Sequence, residues 1–348
     1  MVDSNEKRIG SDEMSEVKRP STVPGLPRTL YLETTNRCDS KCQTCVRTFL
    51  TLEPPKDLTL AELKGIVDQF PVLERVVLHG VGEPLLNREL FAMVAYVKAR
   101  GATVLFNSDA IALTPTRARQ LIESRLDEFR VSMDAASREM YARIRGVDQF
   151  DRVLENVRQL LALQHELNER TPRVSLWFTA MKANLDELPA FVRLAANLGV
   201  PEVYVQRLVY NGQGLAVAEQ SLHRALHERE QRLVEEATAL ARAFDIGFKA
   251  SGLTAPLESL KGTALEQRPW SGCQRPWTLS YVTANGNVLP CCISPWSAKD
   301  YRGAMLGNAF TENFAGLWNG ERYRQFREAF ESDSPPDPCR GCGLLWSI

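Results

Sequence analysis

From residue 28 to about 210, short apolar runs alternate with stretches of helical periodicity. The runs are Thr29–Glu33, Arg75–His79, Thr103–Phe106, Phe129–Met133, Arg173–Ala180 and Val203–Leu208. They read as continuous rather than alternating, which predicts parallel strands covered on both faces. Between them the 3.6-residue period predicts helices at 59–70, 88–99, 114–125, 137–145, 150–168 and 186–198. Thr59 and Thr114 are suited to N-cap two of these, the second with Pro115 at the first helical position. Six strand–helix repeats with right-handed crossovers predict an α/β fold, a parallel (β/α)6 barrel, closed or partly open, with a flat doubly wound sheet as the alternative.

The pattern then changes. A charged helical stretch covers 218–244. Trp277–Ala284 and Asn287–Cys292 flank Asn285-Gly286, a two-residue hairpin signal in which both turn positions need positive φ. An amphipathic stretch at 313–331 leads into a proline cluster at 335–338 and a final Cys339-Arg340-Gly341-Cys342. Three units follow: a polar, mobile tail at 1–27, a barrel at 28–245, and a C-terminal domain of hairpin plus helix at 246–348.

Composition narrows the function classes. Among 348 residues, 42 Lys and Arg oppose 43 Asp and Glu, so there is no electrostatic case for nucleic acid or an anionic membrane surface. No apolar run is long enough to span a bilayer, and the charged N-terminus lacks a signal-peptide core. A cytoplasmic protein is expected, in which the eight cysteines are metal ligands rather than disulfides.

Cys38, Cys42 and Cys45 form a C-x3-C-x2-C loop directly after the first strand. Inert thiolate sites close with four ligands, whereas three sulfurs on a four-iron cluster leave one iron open. A disulfide with a spare thiol and a zinc knuckle are the rival readings, and no histidine lies near enough to complete the knuckle. The second strand runs into Gly80-Val81-Gly82-Glu83, where glycines admit close backbone approach and Glu83 adds a carboxylate. Asn107, Ser132 and Asp134 stand at the ends of the third and fourth strands, where barrel sites collect. Asp134 is equally suited to cap the helix that follows. Arg145 has the bidentate geometry to grip a carboxylate, or is a solvated helix-end arginine beside a glycine cap. Lys182, Asn184, Gln206, Arg207 and Tyr210 are pocket residues without assigned roles.

This cysteine spacing, with the Gly80–Glu83 segment, resembles the radical S-adenosylmethionine (SAM) enzymes. The resemblance implies a [4Fe-4S] cluster on Cys38, Cys42 and Cys45, and SAM held by Gly80, Gly82, Glu83, Asn107, Ser132, Asp134 and Arg145. Thr44 departs from the aromatic residue that many relatives carry before the last cysteine. Cys273, Cys291, Cys339 and Cys342 resemble the SPASM/twitch extensions that carry an auxiliary [4Fe-4S] cluster. With four cysteines in the set, they match the shorter twitch form of the 2-deoxy-scyllo-inosamine dehydrogenase type. A four-cysteine zinc site is the structural alternative. Cys292 is a buried filler, a ligand in place of Cys291, or a thiol that returns hydrogen to a substrate radical.

The implied chemistry is reductive cleavage of SAM by a low-potential donor such as flavodoxin or ferredoxin, then hydrogen abstraction from a small polar substrate, with oxidation or epimerisation as the outcome. The short leader and the lack of a further cysteine set argue for a sugar, aminocyclitol or nucleoside over a peptide. A peptide-modifying maturase is the rival within the class, and a non-catalytic zinc or electron-transfer protein the rival outside it.

Overall fold

The computed structural model describes residues 18–223, 225–252, 254–261, 268, 270–340 and 342. The first 17 residues of the expected tail and the six residues after Cys342 lie outside them. Among the described residues ten strands form one sheet: β1 Thr29–Leu32, β2 Arg75–Val77, β3 Thr103–Ser108, β4 Glu128–Ser132, β5 Arg173–Ala180, β6 Glu202–Arg207, β7 Gly247–Ala250, β8 Leu279–Val282, β9 Asn287–Leu289 and β10 Gly307–Asn308. Their spatial order is β10-β9-β8-β1-β2-β3-β4-β5-β6-β7. From β1 to β7 each strand pairs parallel with the next in sequence. This is the order of a β/α barrel, not of a doubly wound sheet, which reverses about its first strand. The barrel is open, because β7 and β10 are its two edges among the described residues.

β2 and β3 bury both faces as the continuous apolar runs predicted, with Val76, Val77, Val104, Leu105 and Phe106 all buried, but β4, β5 and β6 alternate. Phe129, Val131, Leu176, Phe178, Val203 and Val205 are buried, and Phe178 meets Phe191 of the helix Leu188–Leu198 at 5.0 Å between ring centroids. Glu128, Arg130, Trp177, Tyr204 and Gln206 project the other way, into the barrel. The sequence windows began one residue late at Phe129 and Val203, which hid the charged residues opening each strand. The inner face is therefore polar and encloses a cavity where many barrels pack apolar layers.

Both predicted caps form. Thr59 accepts from Glu62 N at 3.2 Å while Glu62 accepts from Thr59 N at 2.8 Å, a reciprocal box at the head of Leu60–Val67. Thr114 accepts from Arg117 N at 3.3 Å. The stretch 218–244 is helical only over Glu228–Ala243, after a single turn at Ala218–Gln220. β7 follows it and was not foreseen; of its four residues only Phe248 and Ala250 carry apolar side chains, too few to show a period.

At the other edge, β8 lies parallel to β1, pairing Thr29 with Leu279 through Leu32 with Val282. The hairpin β8–β9 turns through Ala284-Asn285-Gly286, with Gly286 N donating to Thr283 O at 2.9 Å. Gly286 alone has positive φ, +83°. The turn is thus a three-residue loop closed by a left-handed glycine, and the expected two-residue turn does not form. The amphipathic stretch 313–331 divides into Phe314–Trp318 and Glu321–Phe330. The break falls at Asn319 and Gly320, and the Asn319 amide bonds Val23 N and Val23 O, both at 2.9 Å. Arg19 reaches Glu331 at 2.7 Å and the Cys273 carbonyl at 2.6 Å. Residues 19–23, expected to be mobile, are fastened to the C-terminal region.

Candidate active site

A cavity of about 620 Å³ fills the barrel. Cys38, Cys42 and Cys45 line it, all as free thiols. Their loop hangs on the end of the helix Arg138–Arg145. Lys41 N and Gln43 N donate to the carbonyls of Arg145 and Ile144 at 3.1 and 2.7 Å, satisfying orphan helix-end acceptors. Gly146 caps this helix at φ +68°, and any Cβ there would strike the Lys41 carbonyl. Arg47 ties the loop internally, reaching Asn36 O at 3.0 Å and Cys38 O at 2.9 Å.

Burial pushes all three thiols up, Cys42 to about 12. Arg145 opposes this at Cys42 and Cys45, and Arg47 at Cys45, so cations stand where thiolates would need them. Asp109 acts in the opposite sense on Cys38, 4.0 Å away. It also accepts from Ser40 Oγ at 2.6 Å. Cys38, Asp39 and Asp109 bring donor atoms within 4.8 Å of one another, which sequence reading did not foresee because Asp109 arrives from the end of β3.

Gly80, Gly82 and Glu83 also line the cavity. The space the two glycines leave is taken by protein. A Cβ on Gly80 would meet Tyr281 Oη at 2.5 Å and collide with Glu33, and one on Gly82 would lie 2.6 Å from Arg37 O. The glycines let the β2 loop seat against the cysteine loop, with Glu83 N donating to Arg37 O at 2.8 Å. The Glu83 carboxylate takes three protein donors: Leu85 N at 3.0 Å, Ser108 Oγ at 2.7 Å and Asp109 N at 2.8 Å. A carboxylate has about four acceptor positions, so one remains for a ligand. Burial, and then Asp109, raise Glu83 well above the carboxylate range.

Glu33 plays the larger structural part. It accepts from Val81 N at 2.8 Å, Tyr281 Oη at 2.8 Å and Ala284 N at 3.2 Å, joining β1, the β2 loop and the C-terminal hairpin. Burial raises it to about 7.

Asp134 does not cap a helix. The next helix begins at Arg138 with Ser137 as its cap. Asp134, at φ +63°, accepts from Thr179 N at 2.7 Å and from Arg145 at 3.0 Å. It holds Arg145, which is buried rather than solvated and lies on the cavity wall. Asn107 and Ser132 reach the cavity directly. Of the residues without assigned roles, Gln206 lines it. Asn184 is wholly buried and bonds Met181 N, Asp134 O and Thr179 O. Arg207 is buried against Ser259 at 3.1 Å.

The second cysteine group gathers at the C-terminal side. Burial, and then Cys291, Cys273 and Cys342, raise the Cys339 thiol, so the four sulfurs share one locality. Arg275 lies close enough to feel Cys292, Cys273, Cys291 and Cys342. The adjacent cysteines diverge: Cys291 sits with Cys339, while Cys292 is buried on the wall of the barrel cavity and hydrogen-bonds Tyr31. Trp296, four residues on, lines the same cavity and donates to Cys45 Sγ. One short segment therefore touches both groups.

The match to known proteins follows the same division. The Radical SAM superfamily description matches residues 32–168, and the SPASM iron–sulfur cluster-binding domain matches residues 273–343. The chain carries a radical SAM domain followed by a SPASM domain, and is a radical SAM enzyme.

Among curated proteins it is 26% identical to the AdoMet-dependent heme synthase of Methanosarcina barkeri, over 91% of this chain and 88% of that protein. It is 24% identical to the PqqA peptide cyclase of Gluconobacter oxydans, over 92% of this chain and 84% of that one. The structure of Streptococcus suis SuiB bound to S-adenosylmethionine superposes with a TM-score of 0.67 at 16% identity, over 94% of this chain and 73% of that chain. SuiB bound to its precursor peptide SuiA superposes at 0.66.

The two domains imply SAM and [4Fe-4S] clusters. The residues present fit them. Three unpaired thiols face a cavity beside Arg145, whose buried Nε has no hydrogen-bond partner. Four further thiols gather about Arg275.

Proposed function

We propose that Cys38, Cys42 and Cys45 hold the [4Fe-4S] cluster that presents SAM to the barrel cavity, and that Cys273, Cys291, Cys339 and Cys342 hold the auxiliary cluster. Bound there, the first cluster and SAM supply a one-electron cleavage that generates a hydrogen-abstracting carbon radical. The chain's own residues bind and orient. Glu83 offers its remaining acceptor position to the SAM ammonium, Arg145 its free guanidinium edge to the SAM carboxylate, and Asn107 and Ser132 their unengaged side chains. Trp296 and Leu208 line the cavity and keep water from it.

The observation that carries this reading is that the first three cysteines and Cys292 open on one cavity. A substrate lodged there lies between the site of abstraction and a thiol. If Cys292 returns a hydrogen atom, the outcome is inversion at carbon, and the thiyl radical left behind takes one electron from the low-potential donor and a proton to restore the thiol. If the auxiliary cluster takes an electron from the substrate radical instead, the outcome is oxidation. Two substrate classes have support. The charged inner face favours a small polar molecule. The likeness to the PqqA peptide cyclase, and to SuiB with SuiA bound, favours a peptide side chain entering the barrel. A low-potential flavodoxin or ferredoxin in a reducing cytoplasm fits as the electron source.

The test is transfer of label. Deuterated compounds of both classes are incubated anaerobically with enzyme, SAM and dithionite, and 5′-deoxyadenosine is weighed by mass spectrometry. Deuterium in 5′-deoxyadenosine identifies the substrate class. If 5′-deoxyadenosine forms with no compound, the reading fails. Cys292→Ala should then keep label transfer and lose inversion; an inverted product from that variant excludes the thiol.

A further inference from the structure

The deep end of the cavity carries more cations than its carboxylates can pair. Glu128 opens β4 and accepts from Arg130 Nε at 3.0 Å and Nη2 at 2.6 Å, and pairs with Arg173 at 3.1 Å. Glu202 opens β6 and pairs with Lys249 at 2.6 Å and Arg173 at 3.4 Å. Arg130 also lies over Trp177, 4.7 Å from the ring centroid. Three cations therefore satisfy two carboxylates in a closed ladder from β4 to β7.

Arg75, at the start of β2, stands outside this ladder. It lines the cavity, and no described residue pairs with it or accepts a hydrogen bond from its side chain. Its Nε is buried without a partner. A guanidinium left unpaired in a partly desolvated wall is costly unless something else satisfies it. Glu128 is the carboxylate near enough to feel Arg75, but it pairs with Arg130 and Arg173 instead, and the other groups around Arg75 offer no charge in return. Burial, together with Arg130 and Arg75, lowers His79 to about 3, so its imidazole is neutral. Tyr31, whose ring is 5.8 Å from that of His79, is held in the phenol form by burial.

We infer that Arg75 is the anchor for a carboxylate of the substrate, with His79 and the Tyr31 hydroxyl beside it. A planar pair of oxygens matches the fork of a single guanidinium. Tyr31 also hydrogen-bonds Cys292, so a substrate anchored here runs past that thiol toward the three-cysteine loop. The specificity this sets is for an acid: an amino acid side chain or terminus, or a small carboxylic acid. It rests on the reading of the barrel as a radical SAM substrate cavity.

The probes are 4-hydroxybenzoate and 4-hydroxybenzamide, equal in size and different in charge. Saturation-transfer NMR on the anaerobic full-length protein measures their binding without SAM or reductant. Wild type should bind the acid about tenfold more tightly than the amide, the effect of one charge-assisted contact. Arg75→Gln should abolish the preference, and Arg75→Lys, which keeps the charge without the fork, should retain part of it. Equal binding of acid and amide by wild type overturns the inference, whatever the variants do. So does an undiminished preference in a folded Arg75→Gln protein. SAM cleavage by wild type is scored separately. Acid selectivity without any cleavage would defeat the radical reading alone, and cleavage without acid selectivity would defeat the Arg75 assignment alone.

Discussion

The cysteine triad is readable from sequence because ligand type and spacing are local properties of one loop. What orients it is not, since each partner arrives from another strand or helix. Asp109 comes from β3, Arg145 from the helix after β4, and Glu33 collects donors from residues 81, 281 and 284. Gly82 joins a local signal to a long-range cause: the glycine is visible in sequence, but its neighbours Thr35 and Arg37 are not. Gly82→Ala should cost about 1–3 kcal/mol through overpacking, because the obstructing atoms are backbone. The measurement is thermal unfolding together with iron per chain, and an unchanged variant would show that the two loops part freely.

Glu33 gives a pH prediction. Its pKa rises from 4.5 to about 7 on folding. Between those values the folded protein holds a proton that the unfolded chain has released, so stability falls as pH rises through the window and then levels off. The full effect is about 3 kcal/mol at 1.36 kcal/mol per pH unit. Urea unfolding of wild type should therefore weaken between pH 4.5 and 7 by that margin more than Glu33→Gln does. Parallel curves for the two proteins would contradict it.

At the scale of elements, type and order of the first six strand–helix units were legible, because each carries its own period and two carry visible caps. Face assignment was legible in β2 and β3 but not from β4 to β6. Reading β4 and β6 from their second residues made alternation look like continuity and hid the polar interior. The hairpin was anticipated from Asn285-Gly286, yet only Gly286 takes the left-handed conformation. Gly286→Val should be strained at φ +83°, and its Cβ would lie 2.6 Å from Phe310 Cδ2. The expected result is loss of the auxiliary iron signal by electron paramagnetic resonance, with the first cluster retained. Loss of both signals together would mean that the hairpin supports the whole barrel rather than the auxiliary group.

At the scale of the molecule, the C-terminal hairpin continues the barrel sheet through β1 and closes over the cysteine loop. Glu53, in the loop after the cysteines, accepts from Thr283 Oγ1 at 2.9 Å, Asn287 Nδ2 at 3.0 Å and Tyr301 Oη at 2.8 Å. The two thiol groups are thus fixed with respect to each other, and Trp296 and Cys292 line the cavity together with the first of them. No sequence window reports such an arrangement, because its members lie more than two hundred residues apart. All of it serves one chemical claim, that three sulfurs leave an iron open to SAM. The direct measurement is 5′-deoxyadenosine formed by anaerobically purified protein with dithionite and SAM, beside the variant in which Cys38, Cys42 and Cys45 are all alanine. The account predicts turnover by wild type, with matching iron and sulfide, and none by the variant. Equal rates from the two proteins, or a wild type that holds zinc without sulfide, would contradict it.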